Sequence, residues 1–390
     1  MAGGVSGEGG AAREHLPRAG EFLLWPPNVQ AWGYRIVDRL FASRTVPRGP
    51  SVRPLPPGPE LDLRWTGADG LPMDLWRFTE RNHVAGLMVL HRGRVLCERY
   101  GLGLVPSQRW STMSTVKSMT AILVGIAVRD GAIESLDDPV TRYLPALAGS
   151  AYDAVRVRHL LTMTTGTRWT EAYDDPQSDV NRYSRSLADR VPGGVLALMR
   201  ELPAQAAPGE RFLYNTGDSY LLGALLVAAT GQPMADFLSE RVWQPLGMEF
   251  DAFYTLDSEG GQEIAGSRAG ITLRDMARFA LYVAADGVID GQPTLPEGWV
   301  ADCGRAQVRV DDPLMHHRGI TGYGYCWWIG DDGAMNALGF AGQRIWIDAS
   351  RECVVTMLSA QPQPPYLTPA YADFDAETRA FLQAVRATLR

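Results

Sequence analysis

Lysine is almost missing from this chain. Of 37 basic residues in 390, one is lysine, Lys117, and the other 36 are arginine. Arginine keeps its proton inside proteins, whereas a buried lysine can lose it and serve as a base. The count has two readings: compositional bias that left one lysine behind, or a position that needs an amine. Cysteine is scarce too. Cys97, Cys303, Cys326 and Cys353 are widely spaced and form no C-x-x-C pair, which gives no redox or metal signature. Small buried side chains are the expectation for all four. Excess positive charge is absent: 44 acidic residues leave a net charge of −7, so an electrostatic grip on nucleic acid is not expected. No run approaches the ~20 apolar residues that span a bilayer. The first twenty residues hold no apolar stretch of the secretory kind, and the expected location is cytoplasmic.

Several catalytic signatures are missing as well. There is no G-x-S-x-G elbow, no H-E-x-x-H zinc motif and no phosphate-binding P-loop. The six histidines form no ligand-like spacing; His316 and His317 are adjacent and would not share a helix face. No cofactor and no metal are expected.

What remains is a globular composition, 46% hydrophobic and 21% charged, long enough for two or three structural units. Residues 1–20 read as disordered. Residues 44–60, with six prolines, read as an extended arm after a helical stretch at Val29–Phe41. VAGLMVLHRGRVLCERYG reads as two strands about an Arg92-Gly93 turn. The stretch from Ser114 to Gly131 is apolar on all sides, the pattern of a buried helix. From 132 to 285 the chain reads mostly helical, with Val157–Met163, Val195–Glu201, Asp218–Thr230, Met234–Trp243 and Leu273–Ala285 as helices and Gly166–Arg190 as a long polar loop. Past 320 the β pattern returns: GYGYCWWIG as one strand, then GQRIWID and CVVTMLSA as a hairpin, then a helix at Ala376–Leu389. The fold class is α+β: one antiparallel sheet flanked by helices, plus a mostly helical inserted domain. The boundaries are 1–60 for the N-terminal extension and arm, 61–131 with 286–390 for the discontinuous sheet domain, and 132–285 for the insert. The junction between them is the natural place for a cleft.

The lone lysine follows a serine by three residues. On a helix, Ser114 and Lys117 share a face. A serine hydroxyl becomes a strong nucleophile only when a neighbouring base takes its proton. Burial and the positive end of a helix would both lower the lysine pKa. The competing reading is a buried lysine paired to a carboxylate, with Ser114 as a helix cap. With 18 serines in the chain, the spacing alone does not choose between them.

Three motifs then occur in order. Ser114-Thr115-Val116-Lys117 is followed by LDDPVTRYLPAL and VRHLLTMTTGTRW. Tyr214-Asn215-Thr216 lies in PGERFLYNTGDSYLLGALL. Phe340-Ala341-Gly342, followed by Gln343, lies in GFAGQRIWID. Together they resemble the serine β-lactamase and penicillin-binding-protein superfamily, in the class C-like branch that holds esterases and 6-aminohexanoate-dimer (nylon oligomer) hydrolases. The resemblance runs from about residue 35 to the end. It implies a β-lactamase/transpeptidase-like fold and a serine hydrolase. Ser114 would be the nucleophile, with Lys117 and Tyr214 sharing acid–base work. Backbone amides of Ser114 and Gln343 would hold the oxyanion, and Tyr173, Phe340 and Gly342 would contact substrate. Phe340 stands where lactamases carry a lysine that grips the substrate carboxylate, which disfavours β-lactamase and D,D-peptidase readings. Thr216 replaces the asparagine of the lactamases. The position of the carboxylate that recognises a substrate amine in the nylon-oligomer branch falls on Ser184, with Asp174, Asp175 and Asp179 as neighbouring candidates. The partner implied is a small amide or ester, with no nucleic acid and no membrane, and the protein a monomer or homodimer. A short-chain carboxylesterase of the same fold is the first alternative, and a non-catalytic binding relative the last.

Overall fold

The computed structural model describes residues 16–363 and 373–389. Its centre is an eight-stranded, wholly antiparallel sheet. In chain order the strands are β1 (Val84–His91), β2 (Arg94–Tyr100), β3 (Val308–Arg309), β4 (Ile320–Tyr323), β5 (Trp328–Gly330), β6 (Met335–Gly339), β7 (Gln343–Asp348) and β8 (Cys353–Ser359). Their spatial order is β3-β4-β5-β6-β7-β8-β1-β2, so the early hairpin adds to the late meander through the β8–β1 pair.

Both faces of this sheet are covered, and side-chain alternation sorts the strand residues between them. Val354 and Leu358 of β8 and Ile345 and Ile347 of β7 join the main core with helices α1 (Thr115–Arg129) and α4 (Leu273–Ala284). Cys353, Val355, Met357 and Trp346 turn to the opposite face, a second core with helix Leu75–Arg81 and helix α5 (Phe374–Thr388). There the Phe78 and Phe381 rings stack with centroids 4.4 Å apart. Helix α1 is buried at every position from Thr115 to Ala127. Its Gly125 lets the chain lie against Trp299: a Cβ there would sit 2.5 Å from the indole nitrogen. Between the two halves of the sheet lie the mainly helical segments, including α2 (Asp179–Ala188) and α3 (Thr216–Thr230). A smaller sheet, Ser43–Val46, Ala252–Thr255, Gly270–Ile271 and Trp110–Ser111, leads directly into the start of α1.

Four expectations need correction. GYGYCWWIG is a hairpin, not one strand: β4 ends at Tyr323, β5 begins at Trp328, and Cys326 turns the chain with φ +56°. Gly324 permits the turn, since a Cβ would lie 2.0 Å from the Cys303 carbonyl oxygen. The helical stretch Val29–Phe41 is two helices, Pro27–Gly33 and Val37–Leu40. Its break follows Gly33, against which the Trp25 ring packs. The polar loop 166–190 contains a helix, α2, started by Ser178, whose hydroxyl accepts from Asn181 N. Most of the disorder expected for residues 1–20 falls outside the described residues, but Ala19 and Gly20 begin a 3-10 turn, Ala19–Leu24, anchored by buried Phe22. The proline-rich arm is extended as expected, with Pro57 bridging to Val95 on β2. Among the described residues no single helix is long and apolar enough to cross a membrane.

The face assignment predicts that Phe381→Ala opens a cavity under α5 and lowers the unfolding free energy by about 3–5 kcal/mol. Urea denaturation checks this, and a change below about 1 kcal/mol would contradict the packing described.

Candidate active site

The strand Trp110–Ser111 delivers the chain to a tight turn, in which Met113 is held at φ +48°, and α1 begins immediately after. Ser114 takes the cap position, yet its hydroxyl makes no capping bond. It accepts instead from Lys117 Nζ at 2.9 Å. Of the two readings left open by the spacing, the structure therefore lacks the capping serine. It also lacks a direct carboxylate partner for the lysine among the described residues. Nζ donates to the Gly266 carbonyl at 2.7 Å and to Thr216 Oγ1 at 3.2 Å. The side chain is 2% exposed, and this burial pushes its pKa down to about 8, against the pull of the Glu171 charge.

Tyr214 stands beside this pair. Lys117 Nζ lies 5.0 Å from the ring centroid, and the ring stacks on Trp328 at 5.2 Å. Desolvation holds the phenol well above its ordinary pKa. The Glu171 charge adds to the rise, and a hydrogen bond with Ser114 works against it. The two candidate proton carriers are thus pushed apart, the amine down and the phenol up.

Gln343, Phe340 and Gly342 enter from the turn between β6 and β7. Ala341 and Gly342 both have positive φ, +60° and +89°. At Gly342 a Cβ would strike the Gln361 side chain at 2.5 Å. The Gln343 side chain, 1% exposed, pins this turn. It accepts from Trp110 Nε1 at 3.0 Å and Ser359 N at 2.9 Å, and donates to Ser359 O at 2.7 Å and Phe340 O at 2.9 Å. Trp110 thereby ties the turn to the strand that leads to Ser114. The Tyr173 ring meets Phe340 at 4.8 Å. Ser114, Tyr173, Tyr214, Phe340, Gly342 and Gln343 all line one cavity of about 1380 Å³.

Glu171 is the residue that motif reading misses. Its carboxylate accepts from Tyr173 OH at 2.9 Å and from Thr216 N at 3.2 Å, and also from Trp169 Nε1 and Thr216 Oγ1. It occupies the N-terminal end of α3, where a helix has unsatisfied amides and favours negative charge. Thr216 joins the two sides, accepting from Lys117 and donating to Glu171. No sequence spacing marks this acid, because a separation of 45 positions from Thr216 says nothing about proximity. The candidates for recognising a substrate amine lie elsewhere. Asp174 and Asp175 are exposed, Asp179 is buried and accepts from Thr170 N and Oγ1, and Ser184 is buried and accepts from Arg268 at 2.6 Å. None of the four lines the cavity. Asp218 is a buried carboxylate pushed up to about 7 by desolvation, held by Tyr152 OH and Thr165 Oγ1, each at 2.7 Å. It also lies off the cavity wall and stabilises the start of α3.

The chain's single lysine makes this electrostatic arrangement directly measurable. Nitrogen-15 lysine labelling gives one side-chain signal, expected to titrate near pH 8. Glu171→Gln removes a charge that favours the ammonium, so the midpoint should move to lower pH. A midpoint at the ordinary lysine value in the folded protein would overturn the description of a desolvated amine.

Comparison with known proteins places the chain in a family. The family model described as Beta-lactamase matches residues 77–379. The chain is 29% identical over 343 residues to the 6-aminohexanoate-dimer hydrolase of Paenarthrobacter ureafaciens, covering 85% of this chain and 86% of that protein. It is 30% identical over 260 residues to esterase EstB of Burkholderia gladioli, covering 62% of each. Among solved structures, a Bacillus anthracis protein provisionally assigned as a 6-aminohexanoate-dimer hydrolase superposes with TM-score 0.79 at 22% identity, over 92% of this chain and 95% of that one, which shows the shared fold. The fold, the ordered motifs and a family match across most of the chain lead to one conclusion: this protein belongs to the Beta-lactamase family.

Proposed function

We propose that this protein is a serine hydrolase that cleaves small linear amides of the 6-aminohexanoate-oligomer kind through an acyl-enzyme on Ser114. The observation that carries the reading is the 2.9 Å contact between Ser114 Oγ and a lysine amine whose pKa is pushed down to about 8. Ser114 Oγ attacks the carbonyl carbon while its proton passes to Lys117. The N–H groups of Ser114 and Gln343 receive the oxyanion. The C–N bond then breaks as Tyr214 protonates the leaving amine. A water adds to the ester, the same groups move its proton, and the acid leaves with Ser114 restored. The opposed pKa shifts support Lys117 as the base and Tyr214 as the acid, since a base works best near the operating pH.

The substrate class rests on two supports. One is the likeness to the Paenarthrobacter hydrolase over most of both chains. The other is the Phe340–Tyr173 wall, which presents rings where a cationic clamp for a lactam carboxylate would stand. A second reading, a carboxylesterase with the same machinery, is favoured by the likeness to EstB.

Ser114→Ala should abolish both p-nitrophenyl acetate hydrolysis and labelling by a fluorophosphonate. Lys117→Arg keeps the charge but cannot act as a base, so kcat should fall by about 10²–10⁴. A panel of 6-aminohexanoate dimer, short p-nitrophenyl esters and nitrocefin decides the substrate. Ester turnover without linear-amide turnover selects the esterase reading, and dominant nitrocefin turnover overturns the amide reading.

A further inference from the structure

The active-site cavity does not end at the Phe340–Gly342 turn. It continues along its wall to Arg344, Met357, Phe374, Asp375 and Thr378. Gln343 and Arg344 are successive residues of β7, so their side chains leave opposite faces of the sheet. Gln343 points towards Trp110 and the nucleophile, whereas Arg344 points to the face covered by α5. The cavity therefore wraps the strand end and has a second wall, remote from Ser114 but continuous with it.

The charged groups on this second wall are unevenly paired. Arg344 is 8% exposed, and its side chain donates from Nη1 to the neutral amide oxygen of Asn336 at 2.9 Å. It makes no ion pair among the described residues. Residues 364–372, which interrupt the described chain, include no acidic residue in their sequence PPYLTPAYA. Arg318, nearby on the same cavity, donates from Nε to Asp375 at 2.9 Å. Asp375 is the leading charge acting on Arg344, with Arg318 opposing it and Asp332 assisting. Asp332 is itself paired with Arg386. Arg318 takes the direct contact with Asp375, and Arg344 feels that carboxylate without pairing directly to one among the described residues. A buried cation without a direct carboxylate contact is costly, and burial holds the Arg344 pKa down to about 10. Arg344 lines the cavity and spends one donor on a neutral amide, and an arginine fork matches a planar carboxylate in shape and charge.

We infer that Arg344, with Arg318 beside it, forms an anion subsite at the far end of the active-site cavity that binds a free carboxylate of the substrate. The subsite selects amides or esters that carry a carboxylate at one end of a linear chain. It differs from a lactam clamp in position, since Phe340 occupies the wall next to the nucleophile and Arg344 the wall beyond the turn. It also agrees with the candidates at 174, 175, 179 and 184 lying off the cavity wall. The inference deepens the hydrolase reading, but the binding it describes does not require turnover.

Two measurements separate the two claims. Calorimetry on the full-length protein compares hexanoate with hexanamide, which differ only in the terminal charge. Hexanoate should bind at least about tenfold tighter, as expected for a charge-assisted contact, and the difference should shrink to within about twofold in Arg344→Gln. Arg344→Lys should keep part of it. Kinetics then compares N-acetyl-6-aminohexanoate with its C-terminal primary amide. The kcat/KM ratio should favour the carboxylate, chiefly through KM, and fall towards one in Arg344→Gln. Equal binding of hexanoate and hexanamide, no binding of either, or a preference unchanged in Arg344→Gln overturns the subsite. Loss of Ser114-dependent ester hydrolysis with hexanoate selectivity intact would instead overturn the hydrolase reading. Should Arg344→Gln fail to fold, competition in the unaltered protein decides: hexanoate should inhibit p-nitrophenyl acetate turnover and hexanamide should not, and equal inhibition overturns the subsite.

Discussion

An amine removed from water beside a serine hydroxyl is the constraint on which the structure depends. Lysine is among the hardest side chains to bury, because its charged form loses its hydration. The chain accepts that cost at one position and surrounds it with apolar helix α1 on one side and a short list of acceptors on the other. The Gly266 carbonyl, Thr216 and Ser114 hold the ammonium when it is charged. Glu171, one hydroxyl further away, keeps its pKa from falling further. A direct carboxylate contact would have locked the proton in place. A purely apolar surround would have removed it altogether. The interposed Thr216 leaves the amine between these limits.

The rest of the fold serves to hold that arrangement still. The eight-stranded sheet is covered on both faces, so β7 has little freedom, and Gln343 links its first residue to Trp110 just ahead of Ser114. The Phe340–Gly342 turn can then stay in a conformation that two successive positive φ values require. Helix α3 contributes through its N-terminus: Asn215 caps it, Thr216 and Tyr214 face the amine, and its free amide is satisfied by Glu171. Positioning comes from a strand end, a helix start and a pinned turn, each of which has unpaired backbone groups available for contact.

Elements with strong local patterns are legible in the amino-acid order alone. α1 is apolar all round because it is buried all round. The β1–β2 hairpin has its alternation and its Arg92-Gly93 turn. Ser114, Lys117 and Tyr214 can be named because the first two are close in sequence and all three lie in recognisable phrases. Legibility fails where a distant contact overrides the local pattern. GYGYCWWIG is apolar throughout and looks like one strand, but Gly324 and Cys326 fold it back against Cys303. Helix α2 hides in a polar stretch because only its buried face, with Val180, Tyr183 and Leu187, is apolar. Glu171 sits among other polar residues and gains its role from Thr216, 45 positions later.

The sequence by itself determined the chemistry available: one lysine, a serine three residues ahead of it, and a tyrosine and a phenylalanine in two further short phrases. Those are matters of residue type and short spacing, and short spacing on a helix is already geometry. Only the tertiary structure decided the state of that chemistry. Burial shifts the lysine, Glu171 opposes the shift, and Arg344 on the far wall of the cavity donates to a neutral amide oxygen while Asp375 acts on it from a distance. Electrostatic state depends on every charge and every solvent-excluded surface within about 10 Å, and no linear pattern records which residues those will be.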